Sequence, residues 1–272
     1  MISKNNTKIG IITVGLNCLE ESIKTIDSIK TKHDYEVIFI DNGSTDGTKK
    51  WLSQRKDIIS YINPIVTGLA ACWNIGIKRA MADGCELFFV INNDIVLGKN
   101  TIDNLVRKIK TGKYIMVTGV NDQTISPEKM IDFEKAYDKD EPDNEHPDFS
   151  CFMIGKKCID KIGFFDENYQ VAYFEDSDYH ARIALANEKA VSTISGTYYH
   201  LCSQTIKKNP HLQPLIQKAF ERNRDYFIKK YGHQNVGDVE DMREKYYKTP
   251  FNEENAEYKN TTKYNGPLDN LW

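Results

Sequence analysis

Several features that mark special classes of protein are missing from the sequence or scarce in it. The six cysteines are scattered and form no Cys-x-x-Cys pair, which argues against a zinc site and predicts a reducing, cytoplasmic compartment. No run approaches the roughly 18 apolar residues of a membrane helix, and the first residues lack the pattern of a secretory signal. Lys and Arg number 36 against 39 Asp and Glu, a net charge of −3, so no overall basic field attracts nucleic acid or an anionic membrane.

What the sequence does contain is the composition of a globular domain. Its 272 residues, 40% hydrophobic and 28% charged, are enough for a substantial core. In the first half, short apolar runs alternate with segments of helical periodicity, which predicts an α/β fold with a mainly parallel sheet and helices on both faces. The predicted strands are residues 8–16, 35–41, 57–63, 85–92, 114–120, 151–154 and 190–194, and predicted helices include 68–82, 175–187 and a long one after Pro210.

Polar residues follow three of these strands, at the sheet edge where ligands of parallel α/β proteins bind. Asn17 follows the first strand, Asp41-Asn42-Gly43-Ser44 the second, and Asn92-Asn93-Asp94 the fourth. Asp41 and Asn42 carry groups that bond a base or a ribose, although turns of this composition are also common without any ligand. Asp94, beside two amide oxygens, suits Mg²⁺ or Mn²⁺, but a helix-capping turn explains it equally well.

A fourth polar segment, Phe174-Glu175-Asp176-Ser177-Asp178, opens a predicted helix, and Arg182 follows about two turns after Glu175. Acidic residues at a helix start are favoured by the helix dipole alone. The alternative is catalytic: one carboxylate acts as a general base while another is anchored by Arg182. His200 follows the predicted strand 190–194, and a lone histidine there is either structural or a ligand.

Two further segments carry opposite charge. Residues 121–150 hold ten acidic residues against three lysines, a net charge of −7, which is typical of a solvated insertion or of a mobile lid or loop facing an acceptor. The last helical region is basic, either on a solvated face or against a phosphate-bearing acceptor. Its basic residues include Lys207, Lys208, Arg222, Arg224, Lys229 and Lys230. The Tyr-rich tail 233–272 is predicted to pack on its own or a neighbouring subunit, the latter giving a homo-oligomer.

The order of these motifs resembles that of the family 2 glycosyltransferases, and most closely their rhamnosyltransferase-like branch, over about residues 8–232. The motifs are the Asp-Asn-Gly-Ser-Thr-Asp-Gly-Thr turn, Gly68-Leu-Ala-Ala-x-x-Asn-x-Gly76, Asn92-Asn93-Asp94, Gly-Phe-Phe-Asp-Glu before Phe-Glu-Asp-x-Asp-x-x-x-Arg, and a following histidine. The resemblance implies a GT-A fold, with a glycosyltransferase domain over 1–232 and a C-terminal extension over 233–272. The domain is expected to comprise a nucleotide-sugar half (about 1–94), an acceptor half (95–205) and a C-terminal helix (206–232).

By the same resemblance, the chain is an inverting enzyme that moves a hexosyl or deoxyhexosyl group from a UDP- or dTDP-sugar to an acceptor hydroxyl. Asp176 matches the catalytic base, with Glu175 as the second candidate, and Asp94 and His200 match the ligands of a divalent metal, Mn²⁺ or Mg²⁺. The positions that match the nucleotide-sugar site are Thr13, Gly15, Asn17, Asp41, Asn42, Gly68, Asn74, Asn92 and Asn93. Because Asn92 and Asn93 stand where the family often has acids, metal binding is expected to be weaker or to be shared with His200.

The acceptor is expected to be a glycan or a lipid-linked saccharide, with modified nucleic acid or protein as alternatives. Two rival functions are a nucleotidyltransferase and a non-catalytic nucleotide-sugar binding module. The first strand end, Thr13-Val14-Gly15-Leu16-Asn17, has no basic residue for a phosphate loop, which argues against the former. The ordered set Asp94, Asp176, Arg182 and His200 argues against the latter.

Overall fold

One mixed sheet of eight strands organises the chain in the computed structural model, which describes residues 7–142, 144, 146–202 and 204–231. In chain order the strands are β1 Lys8–Gly15, β2 Asp34–Asp41, β3 Ile58–Ile62, β4 Leu87–Asn92, β5 Ile95–Leu97, β6 Met116–Asn121, β7 Cys151–Gly155 and β8 Ala190–His200. Across the sheet they follow the order β3-β2-β1-β4-β7-β6-β8-β5.

Helices cover both faces of this sheet. They are α1 Leu19–Asp27, α2 Thr48–Gln54, α3 Leu69–Ala82, α4 Thr101–Ile109, α5 Pro127–Met130, α6 Lys156–Ile162, α7 Glu175–Leu185, α8 Gln204–Lys208 and α9 Gln213–Tyr231, with a short 3₁₀ turn at Pro210–Leu212. Among the residues that the structure describes, none of these helices is both long and apolar enough to cross a membrane.

The order and direction of the strands give the sheet a topological switch point, where the chain crosses from one side of β1 to the other. β1 to β4 are parallel to one another, whereas β7 is antiparallel to both β4 and β6. β8 lies parallel to β6, and β5 closes the edge antiparallel to β8. The chain leaves β1 for β2 and β3 on one side and returns to β4 on the other. The carboxyl ends of β1 and β4 therefore border the crevice in which open α/β sheets bind ligands.

Neighbouring residues of the central strands enter two different cores, as the two-residue period of a strand requires. Ile12 and Phe88 face the cluster beneath α3, α6 and α7, whereas Ile11 and Phe89 face the cluster that includes α4. Because both faces are covered, these strands are apolar throughout and not alternately apolar and polar.

Two glycines allow α3 to lie directly on this sheet. A Cβ at Gly76 would lie 2.3 Å from Ile12 Cγ2, and one at Gly10 would lie 2.3 Å from the Cβ of Ala80. Both distances are far below van der Waals contact, so a larger residue forces the helix away from β1. The close approach fixes the N-terminus of α3 beside the carboxyl ends of the parallel strands.

The predicted α/β architecture is confirmed, and the differences lie at the distal edge of the sheet. β5 was not predicted, and β8 continues past residue 194 to His200. Its apolar run is interrupted at Ser195 and Gly196, and the sheet accommodates this with a register shift opposite Thr118 and Val120. Consequently His200 is the last residue of a strand. The predicted packing of the tail 233–272 lies outside the described residues.

Replacing Gly76 by Ala is expected to destabilise the fold by about 1–3 kcal/mol, because the added methyl group overpacks the contact with Ile12. Urea unfolding measures the change. The matched control is Lys49→Ala on α2, which is exposed and should change the free energy of unfolding by less than about 0.5 kcal/mol. Equal stability of Gly76→Ala and the parent would contradict the packing described here.

Candidate active site

A cleft of about 420 Å³ opens at the carboxyl ends of β1 and β4. The first turn of α7 forms one wall, and the end of β8 with α8 forms another. Eight residues predicted from the sequence line it: Gly15, Asn42, Asn92, Asn93, Asp94, Glu175, Asp176 and His200. The structure thus brings the predicted metal, base and strand-end residues to one place.

Asp94 lies in the turn between β4 and β5, and the pairing of Ile95 with His200 brings the end of β8 beside it. His200 Nε2 lies 2.9 Å from Asp94 Oδ1, and Gln204 N donates to Asp94 Oδ2 at 3.5 Å. A carboxylate oxygen and an imidazole nitrogen in contact match two ligands of a divalent cation. The described residues contain no group of three His, Cys, Asp or Glu that completes a metal site. The other ligands would therefore be water and oxygens of a bound molecule, as is usual for Mg²⁺.

The floor of the cleft consists of backbone and amide groups. Asn92 and Asn93 both line it, and Asn93 Nδ2 donates to Ser22 Oγ in α1 at 3.0 Å, which fixes this strand end. Gly15 lies opposite, and a Cβ there would lie 2.5 Å from Cζ of Phe39. The floor therefore offers hydrogen-bonding groups without bulk at the end of β1.

The turn after β2 is held by its own side chains, yet two oxygens beside it lack a partner. Asn42 Nδ2 donates to Thr67 O at 3.0 Å, and Asp41 Oδ1 accepts from Ser44 N at 2.9 Å. Asp41 Oδ2 and Thr13 Oγ1 are buried and form no hydrogen bond. Both side chains are fully buried and neither lines the cleft, so their contact with a nucleotide stays a prediction, although buried polar atoms in native proteins are nearly always paired.

Of the five predicted site residues that do not line the cleft, three support it from behind. Asn74 Nδ2 donates to Phe165 O at 2.9 Å, and Asn74 Oδ1 accepts from Phe165 N at 2.9 Å. Asn17 Oδ1 accepts from the backbone of the turn after β2. A Cβ at Gly68 would lie 3.1 Å from Tyr169 O, so this glycine permits a close backbone contact. Direct contact of these residues with a nucleotide stays a prediction.

Glu175 and Asp176 open α7 and reach the cleft with different surroundings. Glu175 is 4% exposed and its Oε2 has no hydrogen-bond partner. Burial raises the pKa of Glu175 well above its usual value, and the charge of Asp176 adds to this shift. Asp176 is half-buried, and its Oδ1 accepts from Ser177 N at 2.7 Å. Burial also raises the pKa of Asp176, although the bonds from Ser177 oppose the shift.

Comparison with known proteins decides the family. The model of glycosyl transferase family 2 matches residues 11–192, about two thirds of the chain. The chain belongs to glycosyltransferase family 2. Membership of the rhamnosyltransferase-like branch stays a prediction.

Curated relatives match part of this glycosyltransferase. An uncharacterized glycosyltransferase of Rickettsia conorii is 33% identical over 115 residues, which is 41% of this chain and 18% of the relative. The galactofuranosyl glycosyltransferase of Leishmania donovani is 30% identical over 94 residues, which is 34% of this chain and 21% of the relative. The chain thus spans about a fifth of the length of these relatives, so they support the family and leave the substrate open.

Solved structures share the fold at low sequence identity. GalNAc-T7 with UDP, GalNAc and Mn²⁺ aligns with a TM-score of 0.60 at 16% identity, over 97% of this chain and 59% of that one. S. aureus TarS 1–349 aligns with a TM-score of 0.53 at 15% identity, over 78% of this chain and 65% of that one. The glycosyltransferase has the GT-A fold, as the order of its motifs predicted.

A buried network holds α7 of the glycosyltransferase against α9. Asp178 is fully buried, and its carboxylate lies 2.8 Å from Arg182 Nε and 2.7 Å from Lys230 Nζ. Tyr169 and Tyr231 donate their hydroxyls to Asp178 Oδ1. Burial disfavours the charge of Asp178, but Arg182 and Lys230 outweigh it and hold the pKa of this carboxyl below its usual value. The network therefore anchors the helix that presents Glu175 and Asp176.

The acidic segment 121–150 is docked on the sheet and ends in the cleft. Met130 in α5 is fully buried, and Glu141 is 6% exposed and lies 3.4 Å from Lys108 Nζ. Asp148 lines the cleft, and its Oδ2 accepts from Tyr198 OH at 2.5 Å. Most of the described residues of this segment are exposed, as in a solvated insertion, but it is docked through Met130 and Glu141 and its end lies at the cleft. The sequence indicates this contact only through the position of the segment, which leads directly into the buried strand β7.

Replacing Asp178 by Asn is expected to destabilise the enzyme at pH 7 by about 3–5 kcal/mol, because Arg182 is left buried without its charged partner. The lowered pKa of the Asp178 carboxyl stabilises the parent above the unfolded-state pKa of about 3.9. This stability is lost as the pH falls through the folded-state pKa of Asp178. Urea unfolding from pH 7 to pH 3 should therefore show a smaller acid loss in the variant. Asp225→Asn, in an exposed pair with Arg224, is the control and should change stability by less than about 1 kcal/mol. If Asp178→Asn were as stable as the parent at pH 7, the buried network would not stabilise the fold as described.

Proposed function

We propose that this glycosyltransferase is an inverting enzyme of the cytoplasm that transfers a hexosyl or deoxyhexosyl group from a UDP- or dTDP-sugar to an acceptor hydroxyl. One observation carries the proposal: Asp176 reaches the same cleft as the Asp94–His200 pair. In a single displacement the acceptor oxygen attacks the anomeric carbon from the side opposite the leaving diphosphate. A base on one wall and a pair suited to a cation on the other meet both needs of that reaction.

Asp176 is the proposed base that takes the proton from the acceptor hydroxyl as its oxygen attacks. Its Oδ1 accepts hydrogen bonds from Ser177, so Oδ2 is the oxygen proposed to receive the proton. The raised pKa of Asp176 makes this carboxylate a stronger base than an exposed aspartate. Burial raises the pKa of Glu175 well above its usual value, which favours the protonated form, and that form would donate a hydrogen bond to a sugar hydroxyl.

Asp94 and His200 are the proposed protein ligands of Mn²⁺ or Mg²⁺. Their two donor atoms converge at the cleft, and the structure of GalNAc-T7, which shares the fold, contains UDP and Mn²⁺. A bound cation would neutralise the donor diphosphate and stabilise it as a leaving group. His200 would coordinate such a cation through a ring nitrogen that carries no proton.

The nucleotide is proposed to lie at the carboxyl ends of β1 and β2. The unpartnered Asp41 Oδ2 and Thr13 Oγ1 would bond its base or ribose, while Asn42 and Asn92 line the path to the diphosphate. TarS, which shares the fold, has been solved in complex with UDP-GlcNAc.

The acceptor is proposed to enter on the side of α7 and α9. Asp148 and Tyr173 line this side of the cleft together with the apolar side chains of Leu212 and Ile216. A polar group beside an apolar wall suits a glycan or a lipid-linked saccharide. Assembly through the tail 233–272 stays a prediction.

The base is tested by replacing each carboxylate of the pair. Release of UDP or dTDP from a panel of their sugar derivatives should fall by about 10²- to 10⁴-fold in Asp176→Asn. It should fall by less than tenfold in Glu175→Gln, which keeps a neutral hydrogen-bond donor. The acid limb of the parent's pH profile should lie above the usual aspartate pKa. Wild-type release by Asp176→Asn, or loss in Glu175→Gln alone, would move the base to Glu175, and release from none of the donors would remove the proposed activity.

The metal ligands are tested by titrating UDP with and without Mn²⁺. Asp94→Asn and His200→Ala should each weaken the Mn²⁺-dependent affinity by at least about tenfold, because a coordination bond is lost. His211→Ala, an exposed histidine near the same face, is the matched control and should bind as the parent does. An affinity that does not respond to Mn²⁺, or that His200→Ala leaves unchanged, would contradict the assignment.

A further inference from the structure

The backbone that enters α7, residues 169–174 (the entry loop), adopts an unfavourable conformation. Val171, Tyr173 and Phe174 have φ angles of 61°, 79° and 74°, in the left-handed region. That region is disfavoured for any residue with a Cβ, and most for a β-branched one such as Val171. Such conformations persist only where the surrounding structure enforces them. The loop leads directly into Glu175, so the enforcing contacts also set where the two carboxylates point.

A single side chain of α9 supplies most of these contacts. Asn223 is 0% exposed, and its Nδ2 lies 2.8 Å from Gln170 O, 3.1 Å from Ala172 O and 3.0 Å from Tyr173 O. Its Oδ1 accepts from Gln170 N at 3.1 Å. The two N–H groups of one amide are thus shared among three carbonyls that turn toward α9.

The two remaining carbonyl groups of residues 170–174 do not bond to Asn223. Val171 O accepts from Leu69 N at the start of α3, at 2.9 Å. Phe174 O accepts from Asp178 N and so begins the bonding of α7. Every carbonyl from residue 170 to residue 174 therefore has a partner, and three of them depend on Asn223. The left-handed φ angles of Val171, Tyr173 and Phe174 allow the carbonyl groups of the loop to point in these different directions.

We propose that Asn223 is a positioning residue for the transfer reaction, because its buried amide clamps the entry loop and fixes the direction in which Glu175 and Asp176 enter the cleft. Asn223 itself does not line the cleft, so it acts through the loop. The inference rests on the proposed function, in which Asp176 is the base.

The helix that carries Asn223 has its own anchors, which separates the clamp from the docking of α9. Phe227 is fully buried, and Lys230 Nζ lies 2.6 Å from Asp166 Oδ2 and 2.7 Å from Asp178 Oδ1. These contacts remain when Asn223 is replaced. Loss of its amide should therefore release the loop while the helix stays in place.

The test compares turnover with donor binding in Asn223→Ala, below the unfolding temperature of every variant. The kcat for release of UDP from the most rapidly hydrolysed UDP-sugar should fall by about 10- to 100-fold, because misplacement by about 1 Å has an effect of this size. The dissociation constant of UDP with Mn²⁺ should change by less than about threefold, since the nucleotide side of the cleft is untouched. The acid limb of the kcat profile should also move, because the surroundings that set the pKa of Asp176 change.

A second variant and a matched control complete the test. Asn223→Asp keeps the shape and the bond from Gln170 N but loses the NH₂ group that donates to three carbonyls, so it should show the same fall in kcat. If Asn223→Ala does not fold, Asn223→Asp serves as the test of whether the amide positions the entry loop. Asn104→Ala removes an equally buried amide whose Nδ2 donates to Lys135 O and Ser195 O, on α4. It should lower the unfolding temperature without lowering kcat.

Three results would overturn the inference: a kcat within twofold of the parent in a folded Asn223 variant, a parallel loss of kcat and UDP affinity, or the same kcat loss in Asn104→Ala. Asp176→Asn serves as the reference for the underlying activity. Loss of turnover in Asp176→Asn with normal turnover in the Asn223 variants would refute the clamp alone. Normal turnover in Asp176→Asn would remove Asp176 as the base, whereas release of nucleotide from none of the donors by the parent would refute the proposed function.

Discussion

The buried charge of Asp178 is the interaction on which the cleft wall formed by the first turn of α7 depends. A carboxylate with no exposure is stable only when it is fully paired, and here its partners come from α7 itself, from α9 and from the loop between α6 and α7. Any tilt of α7 would break several of these bonds at once. The first turn of the helix, with Glu175 and Asp176, is therefore held at one angle to the sheet.

The same turn shows how surroundings divide one chemical group into three roles. Asp178 is kept charged by Arg182 and Lys230, whereas Glu175, buried without a partner, favours the neutral form. Asp176 lies between these extremes, half-buried and bonded by Ser177. Neighbouring carboxylates whose pKa values diverge are the usual basis for separate acid, base and anchoring functions.

Local patterns predicted the α/β class, the central strands and the meeting of Asn42 with Asp94, because the carboxyl ends of parallel strands share one edge. Asp176 follows no strand, and only the order of the motifs predicted its place in the same site. They did not predict the partners of amide side chains: Asn74 bonds a loop 91 positions away, and nothing in its vicinity indicates this. Asp148 was missed because it precedes a strand that is antiparallel to its neighbours, and a strand–helix–strand pattern assigns such a residue to the other edge. The helical pattern after Pro210 gave Asn223 no role of its own.

The entry loop and its clamp are far apart in the order of synthesis. The carbonyls that Asn223 binds lie 50 to 53 positions earlier in the chain. A growing chain therefore completes the strand ends at the cleft well before α9 can clamp the entry loop and pair with Asp178. The first turn of α7 can take its final position only after the chain has been made through that helix.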